Sequence, residues 1–154
     1  MPISAHQLGS ELIRRSAARD RPISNLSLQK LAYFAHGWHL ALVGEPLVND
    51  TFEAWEYGPV LSELYHRYKG FSSNPIPADH PLVASEKPLN NKDISSQIID
   101  RVLEVYGDQT SFGLVELSHD PRGPWYPAYH DPGISSNIPN DSIRDYFRSL
   151  QAGD

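Results

Sequence analysis

The sequence predicts a mainly α fold: a single compact helical domain around one central apolar helix, with a small antiparallel β element. Three observations carry that expectation. Residues 27–43 are apolar nearly all round, the flanking segments carry one-sided apolar stripes at helical spacing, and 51–57 is a short aromatic run better suited to a strand. A chain of 154 residues suits one domain, expected to span 1–154.

The first helix is announced by Ser4 and Gln7, spaced as in a capping box, with Ile3 and Leu8 placed as a hydrophobic staple. Leu8, Leu12, Ile13 and Ala17 form its stripe. Arg14, Arg15, Arg19 and Arg21 crowd its end, where positive charge complements the helix macrodipole, and Pro22 closes it. The central helix carries Leu28, Leu31, Ala35, Trp38 and Leu42 on one face and Tyr33, Phe34, Gly37, Leu40 and Ala41 around the other. Gly44 is placed to end it in the left-handed conformation, and Pro46 prevents continuation. After the strand at Thr51 to Tyr57, Gly58-Pro59 opens a further helix, in which Leu61, Leu64, Tyr65 and Tyr68 keep helical spacing and Glu63 and Arg67 form an outer pair.

Phe71 to Asn91 contains Pro75, Pro77, Pro81 and Pro88, which predicts no helix. Ile76 or Leu82-Val83 is expected to pair as a strand with Phe52 to Trp55, the rest forming an exposed loop. Asn90 or Asn91 then caps a helix carrying Ile94, Ile98, Val102 and Val105, which Gly107 stops. Thr110 or Ser111 caps a shorter one reaching His119. A turn-rich stretch from Pro121 to Gly133 precedes a last helix that begins near Pro139 and carries Ile143, Tyr146, Phe147 and Leu150.

Charge divides unevenly along the chain. Residues 1–77 hold seven Lys/Arg and seven Asp/Glu, whereas 78–154 hold six and twelve, so the formal charge of −6 sits in the second half. That composition argues against nucleic-acid binding there and suits a basic partner. The chain has no cysteine, which excludes disulfides and thiolate-ligated metal centres. Leu31 to Val43 is too short to span a bilayer, and the first residues lack the pattern of a signal peptide, so no membrane association and a cytoplasmic location are expected.

Motifs for catalysis are sparse. No G-x-S-x-G, G-x-x-x-x-G-K-[ST] or G-x-G-x-x-G occurs, and adjacent Ser118, His119 and Asp120 point apart on a helix. His36 and His39, three apart on the central helix, offer an alternative reading as a small metal-dependent hydrolase, although H-E-x-x-H is absent. Two polar rings at the edge of a core helix, hydrogen-bonded locally, are the simpler account. No cofactor is expected.

Larger blocks say more. L-S-L-Q-K-L-A-Y-F-A-H-G-W-H-L-A-L-V-G-E-P-L at 26–47, F-E-A-W-E-Y-G-P-V at 52–60 and L-Y-H-R-Y-K at 64–69 are followed by V-L-E-V-Y-G at 102–107, Leu117-Ser118-His119, Pro124-Trp125 and I-x-x-Y-F at 143–147. In this order they resemble the Panacea domain, a family of phage-associated proteins that includes SocA-like antitoxins and GepA-like proteins. The resemblance implies a mainly helical, non-enzymatic domain that binds a cognate toxin protein of a toxin–antitoxin system, with delivery to a cellular protease as one route of disposal. Many members carry an accessory, often DNA-binding, segment; the blocks here fill the chain, so self-repression through such a segment is not expected. Lys30, Tyr33, Trp38, Trp55, Tyr57, Gly58, Pro59, His119 and Trp125 are expected to be structural: the first five building the core, Gly58-Pro59 turning strand into helix, and His119 with Trp125 locking a C-terminal crossing. Partner contacts are then expected on the acidic second half, at Asp93, Asp100 and Glu104, and on the loop at 71–91, at Phe71 and Ile76.

Overall fold

A computed structural model describes residues 2–131 and 136–153. The elements run α1 (Ala5–Ala18), α2 (Asn25–Val43), β1 (Phe52–Trp55), β2 (Gly58–Val60), α3 (Ser62–Tyr68) with a 3-10 turn at Lys69–Phe71, α4 (Pro81–Ala84), α5 (Ile94–Tyr106), α6 (Ser111–Ser118), α7 (Trp125–His130), β3 (Asn137–Ile138) and α8 (Asn140–Gln151). Mainly helical with one small antiparallel sheet, this is the fold class that the apolar patterning predicts.

α2 is the axis of the molecule. Its side chains are buried on every side from Leu28 to Ala41 except at Trp38, and α1, α5, α6 and α8 pack around it. Phe34 stacks on Tyr106 of α5, and Tyr33 meets Phe52 and Phe147 edge-on. Gly37 lets α8 approach, because a Cβ there would enter the ring of Phe147. Ser4 caps α1 through the Gln7 N–H at 3.0 Å, and Gly44 ends α2 at φ 84°. Only half of the capping box forms, since the Gln7 amide reaches the Lys87 carbonyl instead.

The sheet corrects the expected strand pairing. β1 pairs antiparallel with β2 and β3 in the order β2-β1-β3, with Trp55 opposite Gly58 and Phe52 opposite Ile138. A two-residue turn returns the chain at once, so Gly58-Pro59 starts a strand and helix α3 begins at Ser62. Residues 71–91 contribute no strand. Pro81 sits in the first turn of α4, a position where its missing N–H costs nothing, and Leu82-Val83 is therefore helical. α7 was hidden in the turn-rich stretch for a similar reason, Pro127 lying within its first turn.

Nor is 71–91 a free loop. Arg14 donates to the carbonyls of Val83 and Glu86, and Arg67 donates to the Leu82 carbonyl and pairs with Glu86 at 3.2 Å rather than with Glu63. Buried Glu11 takes Arg14, Arg15 and the Leu89 N–H. Burial raises its pKa, but these donors outweigh that and hold it below the ordinary value. Arg14, expected to serve the helix dipole, thus straps this segment to α1, and Arg67, expected to pair with Glu63, straps it to α3.

Candidate partner-binding surface

The two expected metal-ligand histidines are separately engaged. The Val48 N–H donates to His36 Nδ1 at 3.4 Å, which leaves Nε2–H to donate to Asn140 Oδ1 at 2.9 Å, while His39 Nδ1–H donates to the Glu45 carbonyl at 2.6 Å. Burial lowers the His36 pKa to about 4. Among the described residues no group of three or more His, Cys, Asp or Glu side chains is arranged to hold a metal, so the hydrolase reading gains no ligand set.

The family-block residues converge on the edge of the sheet. Lys30, fully buried, donates through Nζ to the Pro59 carbonyl at 2.5 Å, and Gln29 beside it accepts from the Leu61 N–H at 3.1 Å. Two side chains of α2 thereby satisfy backbone groups along β2 that an edge strand would otherwise leave open. Burial lowers the Lys30 pKa to about 7. Gly58, at φ 109°, is the other half of this fit: a Cβ would lie 2.5 Å from Ser118 Oγ and 2.9 Å from Lys30 Cε. His119 stacks on Trp125 with centroids 3.7 Å apart, and Trp125 Nε1–H donates to the Trp55 carbonyl at 2.8 Å, fixing α6 and α7 to β1. Tyr33 is core, while Trp38 and Trp55 are half-buried. Tyr57 departs from expectation. It is 52% exposed in the two-residue hairpin turn, beside Phe112.

The residues expected to meet a partner scatter. Ile76 is buried and its N–H bonds to the Ile23 carbonyl, so it belongs to the core and not to a contact surface. Phe71 is half-buried against His80. Asp100 pairs with Arg15 at 2.9 Å and Glu104 with Arg101 at 2.6 Å, on the side of α5 where Arg19 also reaches the Asp100 carbonyl. Folding sets basic α1 against acidic α5, so the charge split along the sequence is partly neutralised in space. Asp93 remains exposed at the start of α5.

Sequence reasoning missed an open apolar surface. α2 and α5 lie antiparallel, with Trp38 Nε1–H donating to Tyr106 Oη at 3.0 Å, and a furrow runs between them. One part, of about 360 Å³, is walled by Trp38, Leu42, Arg101 and Val105; the next, of about 380 Å³, by Val43, Glu45, Asp93 and Ile94. Leu42, Val43, Ile94 and Val105 are exposed along it, Leu42 and Ile94 to 54% each. The helical spacing of 94–105 was visible in the sequence, but it placed Ile94 and Val105 on the buried stripe. A second exposed patch, aromatic in character, holds Tyr57 and Phe112 in edge contact, and Tyr126 and Tyr129 are exposed on α7.

Comparison with known proteins decides the family. The model for the SocA-like antitoxin Panacea domain matches residues 28–126. The chain belongs to the Panacea-domain family. Its relatives include Antitoxin SocA of Caulobacter vibrioides (strain NA1000 / CB15N), 38% identical over 160 aligned residues that cover 95% of this chain and 83% of that protein. No solved structure matches the chain. The Panacea match spans the axis helix from Leu28 onward, the hairpin, Ser118, His119 and Trp125, and so contains the contacts that fix β2 to α2. Among the described residues of this Panacea domain, no helix is long and apolar enough to cross a membrane.

Proposed function

We propose that this Panacea-domain protein is a cytoplasmic antitoxin that neutralises a cognate toxin by binding it directly, with handover to a cellular protease as a further step. The observation that carries the reading is the relation to Antitoxin SocA along nearly the whole chain. The structure supports it with solvent-facing apolar surfaces of the kind that a protein partner covers. A basic partner suits the net charge of −6 and the exposed carboxylates of Glu45, Asp93 and Asp108.

Co-expression with the protein encoded beside it tests this reading. Growth arrest by that protein alone, relieved by the antitoxin and accompanied by a complex that co-purifies, is the expected result. Toxicity unaffected by co-expression would contradict it. The partner's half-life in cells with and without this chain then separates sequestration from handover: a shortened half-life supports the protease step.

A further inference from the structure

We propose that the furrow between α2 and α5 is the seat of an amphipathic helix of the partner toxin, its apolar edge laid between Leu42 and Val105 and its basic end beside Glu45 and Asp93. This rests on the antitoxin reading and specifies how the partner is held.

The walls determine the kind of guest. From Trp38 to Val43 and from Ile94 to Val105 both are helices whose backbone groups bond within the helix, so these stretches offer no open edge to which a strand could add. What they present is side chains. Leu42 and Val43 stand on one wall and Ile94 and Val105 on the other, with Trp38 half-buried between them. Ile94 and Val105 are eleven positions apart, about 16 Å along a helix axis, which matches a guest of about three turns. A helix laid there meets the furrow with residues at i, i+3, i+4 and i+7, the way helix ridges fill grooves.

Charge gives the guest its direction. Glu45 and Asp93, both exposed, flank the end where α2 stops, and no lysine or arginine lines that part of the furrow. The carboxyl end of α2 adds little there, because Arg148 donates to the Ala41 carbonyl and the amino end of antiparallel α5 lies alongside, so the preference rests on the two carboxylates. At the other end the cation on the wall, Arg101, is already paired with Glu104. A guest with Lys or Arg at the end beside Asp93 is thus favoured, and one with the opposite polarity meets repulsion.

The test uses the full chain and the protein encoded beside it. Leu42→Lys with Val105→Lys replaces two exposed apolar residues near helix C-termini, where positive charge is tolerated; Tyr57→Lys with Phe112→Lys is the matched control on the aromatic patch. Circular dichroism and thermal unfolding check that both pairs fold. The first pair is expected to weaken binding at least about 30-fold, as loss of interface anchors does, and to abolish growth rescue, the control pair leaving both within about threefold of wild type. Hydrogen exchange on the bound partner is expected to show one newly protected segment of about three helical turns.

Other outcomes overturn the proposal. Wild-type protein that neither binds nor rescues contradicts the antitoxin reading and the furrow with it. Rescue and binding that survive the Leu42/Val105 pair leave the antitoxin reading standing and overturn the furrow alone. Wild type that dimerises by itself while the Leu42/Val105 pair is monomeric and still rescues gives the furrow to a second copy of this chain.

Discussion

The two flanks of α2 are built in opposite ways. Towards β2 its polar side chains, Gln29 and Lys30, are fully buried and satisfy backbone groups of the hairpin, and Gly58 is open by no more than the lysine stem and Ser118 fill. Towards α5, at its C-terminal end, its apolar side chains Leu42 and Val43 stand in solvent. The inversion separates two tasks. Gln29, Lys30 and Gly58 hold the sheet to the helix, and the uncovered surface lies at the other end of α2, where an apolar side chain is useful only against something else.

The largest expected effect on stability lies on the hairpin flank. Gly58→Ala combines a left-handed-side backbone angle with a Cβ placed against Ser118 and Lys30, so it should lower the unfolding free energy by about 2–4 kcal/mol in a urea titration. A loss below about 0.5 kcal/mol would show that α2 and α6 yield freely there. On the furrow flank Leu42→Lys should shift stability by no more than about 0.5 kcal/mol, because its side chain is more than half exposed. Equal losses at the two sites would erase the contrast.

The pH response is the next largest effect. His36 is held neutral by burial, its pKa lowered from the ordinary 6.5 to about 4. Between those values the unfolded chain binds a proton that the folded chain refuses, so stability falls as pH drops through this window and levels off below about 4. The loss from this one residue is about 3 kcal/mol, measurable by urea unfolding at stepped pH together with an NMR titration of the ring. An imidazole titrating near 6.5 in the folded protein would contradict the burial account. Lys30 acts in the same sense at higher pH: with its pKa at about 7, the unfolded chain holds the extra proton up to about pH 10, and stability rises with pH across that interval.

The smallest expected effect belongs to the charges. Arg15 and Asp100 are paired at 2.9 Å, but Asp100 is about half exposed, so Asp100→Asn should cost about 0.5 kcal/mol and less at high salt. If partner binding fell by more than about threefold with it, the acidic side of α5 would belong to the interface after all.

Much of this fold was legible because burial writes periodicity into sequence. α2 was apolar all round and became the axis; Ser4 and Gly44 marked helix ends by elementary capping chemistry. The failures share a cause. Pairing of β1, the docking of 71–91 and the neutralisation of Asp100 all depend on partners far away in sequence, such as Ile138, Arg67 and Arg15, which no local pattern announces. Proline misled where it stood in the first turn of a helix, in α4 and α7. The furrow stayed hidden because an apolar stripe shows which residues avoid water, not which of them the folded chain fails to cover.

Hydrogen exchange on this chain, free and in complex with the protein encoded beside it, tests the separation of the two flanks most directly. New protection concentrated in residues 38–43 and 93–106, with the hairpin at 55–60 unchanged, is the result that the structure predicts. New protection confined to 55–60 and 112–130, with the furrow helices exchanging as in the free protein, would contradict it and move recognition onto the face of the hairpin and α6.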